Sequence, residues 1–178
     1  MHKFPDELLQ RAQNIRVLLL DVDGVLTDGG LYFTEAGESL KRFNTLDGHG
    51  LKLLQGAGIQ PVIITGRDSA ALRARLNALN IQHALYGVDD KRTAAQNTLE
   101  NLGLTWAQTA AMGDDWPDLP MLLPSALACA PPNAHSEVLS RVHWVTQAAA
   151  GHGAVREVCD LLLQARGTYA ALLNQVLL

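Results

Sequence analysis

Four largely apolar runs recur along the chain: Val17-Leu18-Leu19-Leu20, Pro61-Val62-Ile63-Ile64, Thr109-Ala110-Ala111-Met112 and Ala126-Leu127-Ala128-Cys129. Runs of this length without polar alternation predict strands buried on both faces, as in a parallel sheet. A weaker run, His83-Ala84-Leu85-Tyr86, and Val142-His143-Trp144-Val145 predict two shorter strands. Between them the apolar period changes. Leu72, Leu76 and Leu79 fall on one helical face, as do Ala95, Leu99 and Leu102, and Val155, Val158, Cys159 and Leu162. Pro5 with Asp6 and Glu7 opens a short N-terminal helix. Strands alternating with helices predict an α/β domain with a mainly parallel sheet and right-handed crossovers.

One stretch breaks this alternation. Leu31-Tyr32-Phe33 and Leu40-Lys41-Arg42-Phe43 flank Glu35-Ala36-Gly37-Glu38, which predicts a β-hairpin over about 29–44. A C-terminal helix and tail cover about 151–178, and the tail after Gly167 is apolar but uncapped.

With 178 residues the chain suits one domain, 1–178. Net charge is −4, and no basic run or interleaved aromatic strip is present, which argues against nucleic acid as a partner. No apolar run approaches membrane-spanning length and the N-terminus lacks an apolar signal core, so no membrane partner is expected. Cys129 and Cys159 lie in apolar surroundings without metal-type spacing and read as core thiols of a reducing compartment. The expected location is cytoplasmic.

Ligands of open parallel sheets bind beyond the carboxyl ends of the strands, so the polar residues that end the apolar runs carry the candidate chemistry. They are Asp21-Val22-Asp23-Gly24, Thr65-Gly66-Arg67 and Gly113-Asp114-Asp115, with Lys91 after the weaker run. Asp21 or Asp23 alone would read as a turn residue. Together they place like charges near one point and call for a proton or a cation. Asp115 and Asp118 suit the first turn of a helix, whereas Asp114 stands before it, able to meet the first pair. Oxygen ligands from separate loops suit Mg²⁺. Carboxylates, a hydroxyl and an ammonium on the strand ends of one sheet are the needs of phosphoryl transfer.

In this order, Asp-Val-Asp-Gly-Val-Leu-Thr, Ile-Thr-Gly-Arg, a lone Lys and Gly-Asp-Asp-x-x-Asp resemble the four motifs of the haloacid dehalogenase superfamily. The resemblance implies a Rossmann-like parallel sheet with helices on both faces. It implies a Mg²⁺-dependent phosphatase with Asp21 as nucleophile and Asp23 as acid–base partner. Thr65 and Lys91 would hold the phosphoryl group. Asp21, the main-chain carbonyl of Asp23, and Asp114 would bind Mg²⁺, with Asp118 as support behind them. The spacing leaves no room for a cap domain, only for the hairpin, so a homo-oligomer that closes the site from a neighbouring chain is expected.

Finer detail resembles one capless family, the 3-deoxy-D-manno-octulosonate 8-phosphate phosphatases, which act in lipopolysaccharide biosynthesis and whose resemblance implies a homotetramer. The matching segments are Asp-Gly-Val-Leu-Thr-Asp-Gly-Gly, Arg-Phe-Asn-x-x-Asp-Gly-x-Gly, Ile-Thr-Gly-Arg and Gly-His-Gly-Ala-Val-Arg-Glu-Val-Cys-Asp. This implies that Asp23, Asn44, Thr45, Leu46, Asp47, Gly48, Lys52, Gly66, Arg67, Arg75 and Lys91 contact a small sugar acid phosphate. Lys52 departs from the Arg common in the family, with loss of bidentate geometry. His152 stands where the family usually has Gly-Arg, and Gly151-His152-Gly153 is expected to fold over the mouth of the site. Phosphatases of nine-carbon keto-deoxy sugar acid 9-phosphates resemble the chain almost as well. They typically carry Glu after Thr-Gly, and here Arg67 suits a substrate carboxylate. A non-catalytic sugar-phosphate-binding member is the rival class, opposed by the intact catalytic set.

Overall fold

The computed structural model describes residues 3–177; Met1, His2 and Leu178, part of the expected domain 1–178, lie outside them. In chain order the elements are α1 (Asp6–Ala12), β1 (Val17–Leu20), β2 (Tyr32–Thr34), β3 (Gly37–Leu40), α2 (Thr45–Gly56), β4 (Gln60–Ile64), α3 (Ala70–Ala78) and β5 (His83–Leu85). They continue with α4 (Lys91–Leu102), β6 (Thr109–Met112), α5 (Leu119–Leu122), β7 (Leu127–Ala130), α6 (Ser136–Leu139), β8 (Trp144–Val145), α7 (Ala154–Ala165) and α8 (Tyr169–Leu177).

Six strands form one sheet in the order β5-β4-β1-β6-β7-β8, every neighbouring pair parallel. The uninterrupted apolar runs are explained by cover on both faces. Leu18, Leu20, Ile63 and Met112 join the helices α2, α3 and α7 in one buried cluster. Val17, Leu19, Val62 and Ile64 point the other way and pack with residues of α4, α5 and α6. Helix starts are fixed by side chains: Ser69 accepts from the Leu72 N–H at 3.2 Å, and Asp90 from the Thr93 N–H at 3.1 Å. Gly103, at φ 66°, ends α4 in the left-handed conformation that favours glycine.

The hairpin is real, with a shorter turn than expected. Gly37 and Glu38 belong to β3 and pair with Thr34 and Phe33, while Lys41-Arg42-Phe43 leaves the strand. Gly37 at φ 108° lets the chain reverse over Glu35-Ala36. Three helices, α2, the short α6 and α8, are absent from the expectation. In α2, Gly48, Gly50 and Gly56 mask the helical pattern; the glycines let Arg75 and Cys159 pack against the helix. In α8 the uncapped apolar tail is helical, with Leu172 partly buried on the core and Val176 exposed.

Candidate active site

The strand order reverses direction at β1, which lies between β4 and β6. Asp21 follows β1, Thr65 follows β4, Asp114 follows β6 after Gly113, and Lys91 opens α4. All of them line one cavity of about 400 Å³, together with Asp23 and Arg67. The sheet thus gathers residues separated by up to a hundred positions into one crevice.

Lys91 is the electrostatic hub. Its buried ammonium donates to Asp21 Oδ1 and to Asp118 Oδ1, both at 2.6 Å. A cation at a helix N-terminus opposes the helix dipole, and the two carboxylates offset that cost. Asp118 Oδ2 accepts the main-chain N–H groups of Asp114 at 2.9 Å and Asp115 at 3.2 Å. Asp118 therefore spends both oxygens holding Lys91 and the Asp114 loop in place, as the supporting role requires. Gly113 is forced by this packing, since a Cβ there would sit 2.6 Å from Asp118 Oδ2.

Carboxylate oxygens of Asp21, Asp114 and Asp118 all lie within 4.8 Å of one another. Burial, with repulsion from Asp118, raises the Asp21 carboxyl to about 6 despite Lys91. Asp114 is raised to about 7 by burial and by Asp118, Asp21 and Asp115. Such a surplus of negative charge, made only of hard oxygen donors, fits Mg²⁺. Gly24, at φ 87°, faces Asp114, and any side chain there would overlap that carboxylate.

Thr65 is buried, and its Oγ1 accepts from the Arg67 N–H at 3.2 Å. Lys41, just past β3, donates to Asp23 Oδ1, while Asp23 Oδ2 is buried without a hydrogen-bond partner among the described residues. Arg67 is half exposed at the cavity, 3.6 Å from Glu38 Oε2 of the hairpin.

Gly66 also lines this cavity, and the remaining expected substrate residues, Asn44 to Gly48, Lys52 and Arg75, do not. Thr45, Gly48, Lys52 and Arg75 line a second cavity of about 200 Å³ that shares no residue with the first. Arg75 donates to the Asn44 main-chain carbonyl at 3.1 Å, passing over Gly48, where a side chain would block it. Asn44 caps α2 by accepting from the Leu46 N–H at 2.8 Å, and Leu46 is exposed. Asp47 is buried and points inward, its Oδ1 accepting from the Arg156 N–H at 2.8 Å at the start of α7. That helix has Gly153 at its N-cap, so Asp47 supplies the missing acceptor from across the core.

Gly151, at the start of Gly151-His152-Gly153, is held by hydrogen bonds through both its N–H and its carbonyl. The Gly151 N–H donates to the Val25 carbonyl at 3.2 Å, and the Gly151 carbonyl accepts from Asn44 Nδ2 at 3.3 Å. His152 Nε2 lies 3.2 Å from Arg42 Nη1.

Comparison with known proteins decides the family. A profile described as haloacid dehalogenase-like hydrolase matches residues 87–158. The 3-deoxy-D-manno-octulosonate 8-phosphate phosphatase of Yersinia pestis is 44% identical over 161 residues, 90% of this chain and 86% of the relative. The same phosphatase of Salmonella typhi is 42% identical over 160 residues, 90% and 85% of the two chains. The chain belongs to the 3-deoxy-D-manno-octulosonate 8-phosphate phosphatase family. Solved structures agree. The phosphatase of Moraxella catarrhalis, in complex with a magnesium ion, a phosphate ion and a KDO molecule, superposes with a TM-score of 0.94 at 36% identity, covering 97% of this chain and 99% of that one. The cobalt-bound deoxy-D-mannose-octulosonate 8-phosphate phosphatase of Haemophilus influenzae gives 0.88 at 40% identity, covering 91% and 95%.

Within this 3-deoxy-D-manno-octulosonate 8-phosphate phosphatase family member, motif reading left two charged residues unassigned. Lys41 and Glu38 reach the site from the hairpin, and no strand-end signal marks them. The available clue was a Lys in a segment read as a strand next to the first carboxylate pair, a position that gains buried partners only through the tertiary fold. Among the described residues no helix is long and apolar enough to cross a membrane.

Proposed function

We propose that the chain hydrolyses 3-deoxy-D-manno-octulosonate 8-phosphate to the free sugar acid and phosphate, in lipopolysaccharide biosynthesis in the cytoplasm. The carrying observation is the buried Lys91 bound to Asp21 at the strand end, with Thr65 and Asp114 in the same cavity. An Asp21 oxygen attacks phosphorus while the ester oxygen leaves with a proton from Asp23. Asp23 then takes a proton from water, whose oxygen displaces phosphate from Asp21. Lys91 and the Thr65 hydroxyl hold the phosphoryl oxygens, and the Lys91–Asp118 pair fixes that ammonium in position. Asp21, the Asp23 main-chain carbonyl and Asp114 would hold Mg²⁺, which when bound neutralises phosphoryl charge.

The whole chain acts as one domain, with the hairpin in place of a cap. The Lys52–Arg75 cavity shares no lining residue with the catalytic one, which suits a site completed by a second chain. The hairpin exposes Tyr32, Phe33 and Leu40, which suits burial against further copies. The expected assembly is a homotetramer, in which Thr45, Gly48, Lys52 and Arg75 of one chain, which line the second cavity, complete the sugar site of another.

Arg67→Ala tests the substrate assignment. Loss of a charged hydrogen bond costs about 2–3 kcal/mol, so kcat/KM for the eight-carbon keto-acid phosphate should fall by about 30- to 150-fold. A small generic phosphoester lacks the carboxylate and should lose much less. Equal losses on both would move Arg67 from sugar recognition to general structure. Light scattering checks the assembly, and a fully active monomer would remove the need for a neighbouring chain.

A further inference from the structure

The hairpin is mostly exposed, yet the residue that follows it is among the most enclosed charges of the chain. Lys41 keeps 6% of its surface, against 62% for Phe33 and 54% for Leu40. Its ammonium bonds Asp23 Oδ1 and lies 2.8 Å from Glu38 Oε1, an ion pair without hydrogen-bond alignment. Glu38 in turn reaches Arg67 at 3.6 Å. Asp23 thereby has one oxygen tied to Lys41 and one, Oδ2, buried without a hydrogen-bond partner among the described residues.

We propose that Lys41 is a positioning residue that clamps one carboxyl oxygen of Asp23, so that the other is aimed at the oxygen leaving phosphorus. This rests on the reading of Asp23 as the proton donor. Without the clamp the side chain is free to rotate toward solvent or toward other cations of the cavity. Proton transfer is steeply dependent on geometry, and a misplacement of about 1 Å can cost on the order of a hundredfold. Glu38, itself in β3, pairs with the same ammonium at 2.8 Å, so the clamp is set by the fold of β3 and not by Asp23 alone.

The leaving group separates this role from a merely structural one. An alkoxide leaves only with a proton, whereas p-nitrophenolate departs without one, and kcat/KM reports the steps through phosphoenzyme formation. In Lys41→Met, kcat/KM should fall by about a hundredfold for the sugar acid phosphate and for a simple primary alkyl phosphate. For p-nitrophenyl phosphate it should fall by no more than about threefold, and Lys41→Arg should recover most of the alkyl loss. The alkyl phosphate makes the outcome independent of the sugar identity, so an error in the substrate assignment shows separately. Because Lys41→Met strands two carboxylates, the double variant Lys41→Met/Glu38→Gln carries the measurement if the single variant does not fold. Equal losses on alkyl and aryl esters, or no loss on either, would overturn the proposal.

Discussion

Asp21→Asn should lose activity by roughly ten-thousand-fold or more, the effect of removing a covalent nucleophile. The amide keeps the shape of the carboxylate but does not attack phosphorus. The fold should survive, because Lys91 retains Asp118 as a partner at 2.6 Å. Stability without metal should equal or exceed that of the unaltered chain, since the substitution removes one of three carboxylates crowded within 4.8 Å. The alkali- and hydroxylamine-labile phosphoryl label trapped by acid quench on the unaltered protein during turnover should vanish from the variant. Residual activity within about tenfold of the original would rule out a phosphorylated Asp21, since covalent catalysis contributes far more.

Chelation should stop turnover, and added Mg²⁺ should restore it. The expectation follows from Asp21 and Asp114, held among like charges with too few protein cations to balance them. Binding should also be visible without substrate. A ligand at about a hundred times its Kd adds about 2.7 kcal/mol to unfolding free energy, so the melting temperature should rise with Mg²⁺. Asp114→Ala should abolish that rise as well as activity. Full turnover in excess chelator, or an unchanged Mg²⁺ shift in the variant, would contradict the site.

Much of this arrangement was legible in the chain. Strands buried on both faces leave continuous apolar runs, so the expected β1, β4 and β6 match the structure within a residue, and the polar residues that end them line one cavity. Lys91 and Asp114 followed from the same logic. The hidden parts depend on tertiary contacts. Glycines in α2 look like loop residues until Arg75 and Cys159 are seen packed against them. Asp47, expected among the substrate contacts, instead lies buried and caps α7 from another helix. Lys41 resembles any edge-strand lysine until the hairpin folds back and buries it against Asp23. The second cavity takes Thr45 and Gly48 from the Asn-x-x-Asp-Gly segment together with Lys52 and Arg75, but its separation from the cavity at Asp21 is a property of the fold alone.

The central claim is most directly tested by phosphate release from purified full-length protein with Mg²⁺, comparing 3-deoxy-D-manno-octulosonate 8-phosphate with a nine-carbon keto-deoxy sugar acid 9-phosphate. Arg67 in place of the Glu typical of the nine-carbon enzymes predicts that the eight-carbon ester is hydrolysed with the higher kcat/KM. Absence of release from the eight-carbon ester, or a higher kcat/KM for the nine-carbon one, would contradict the account.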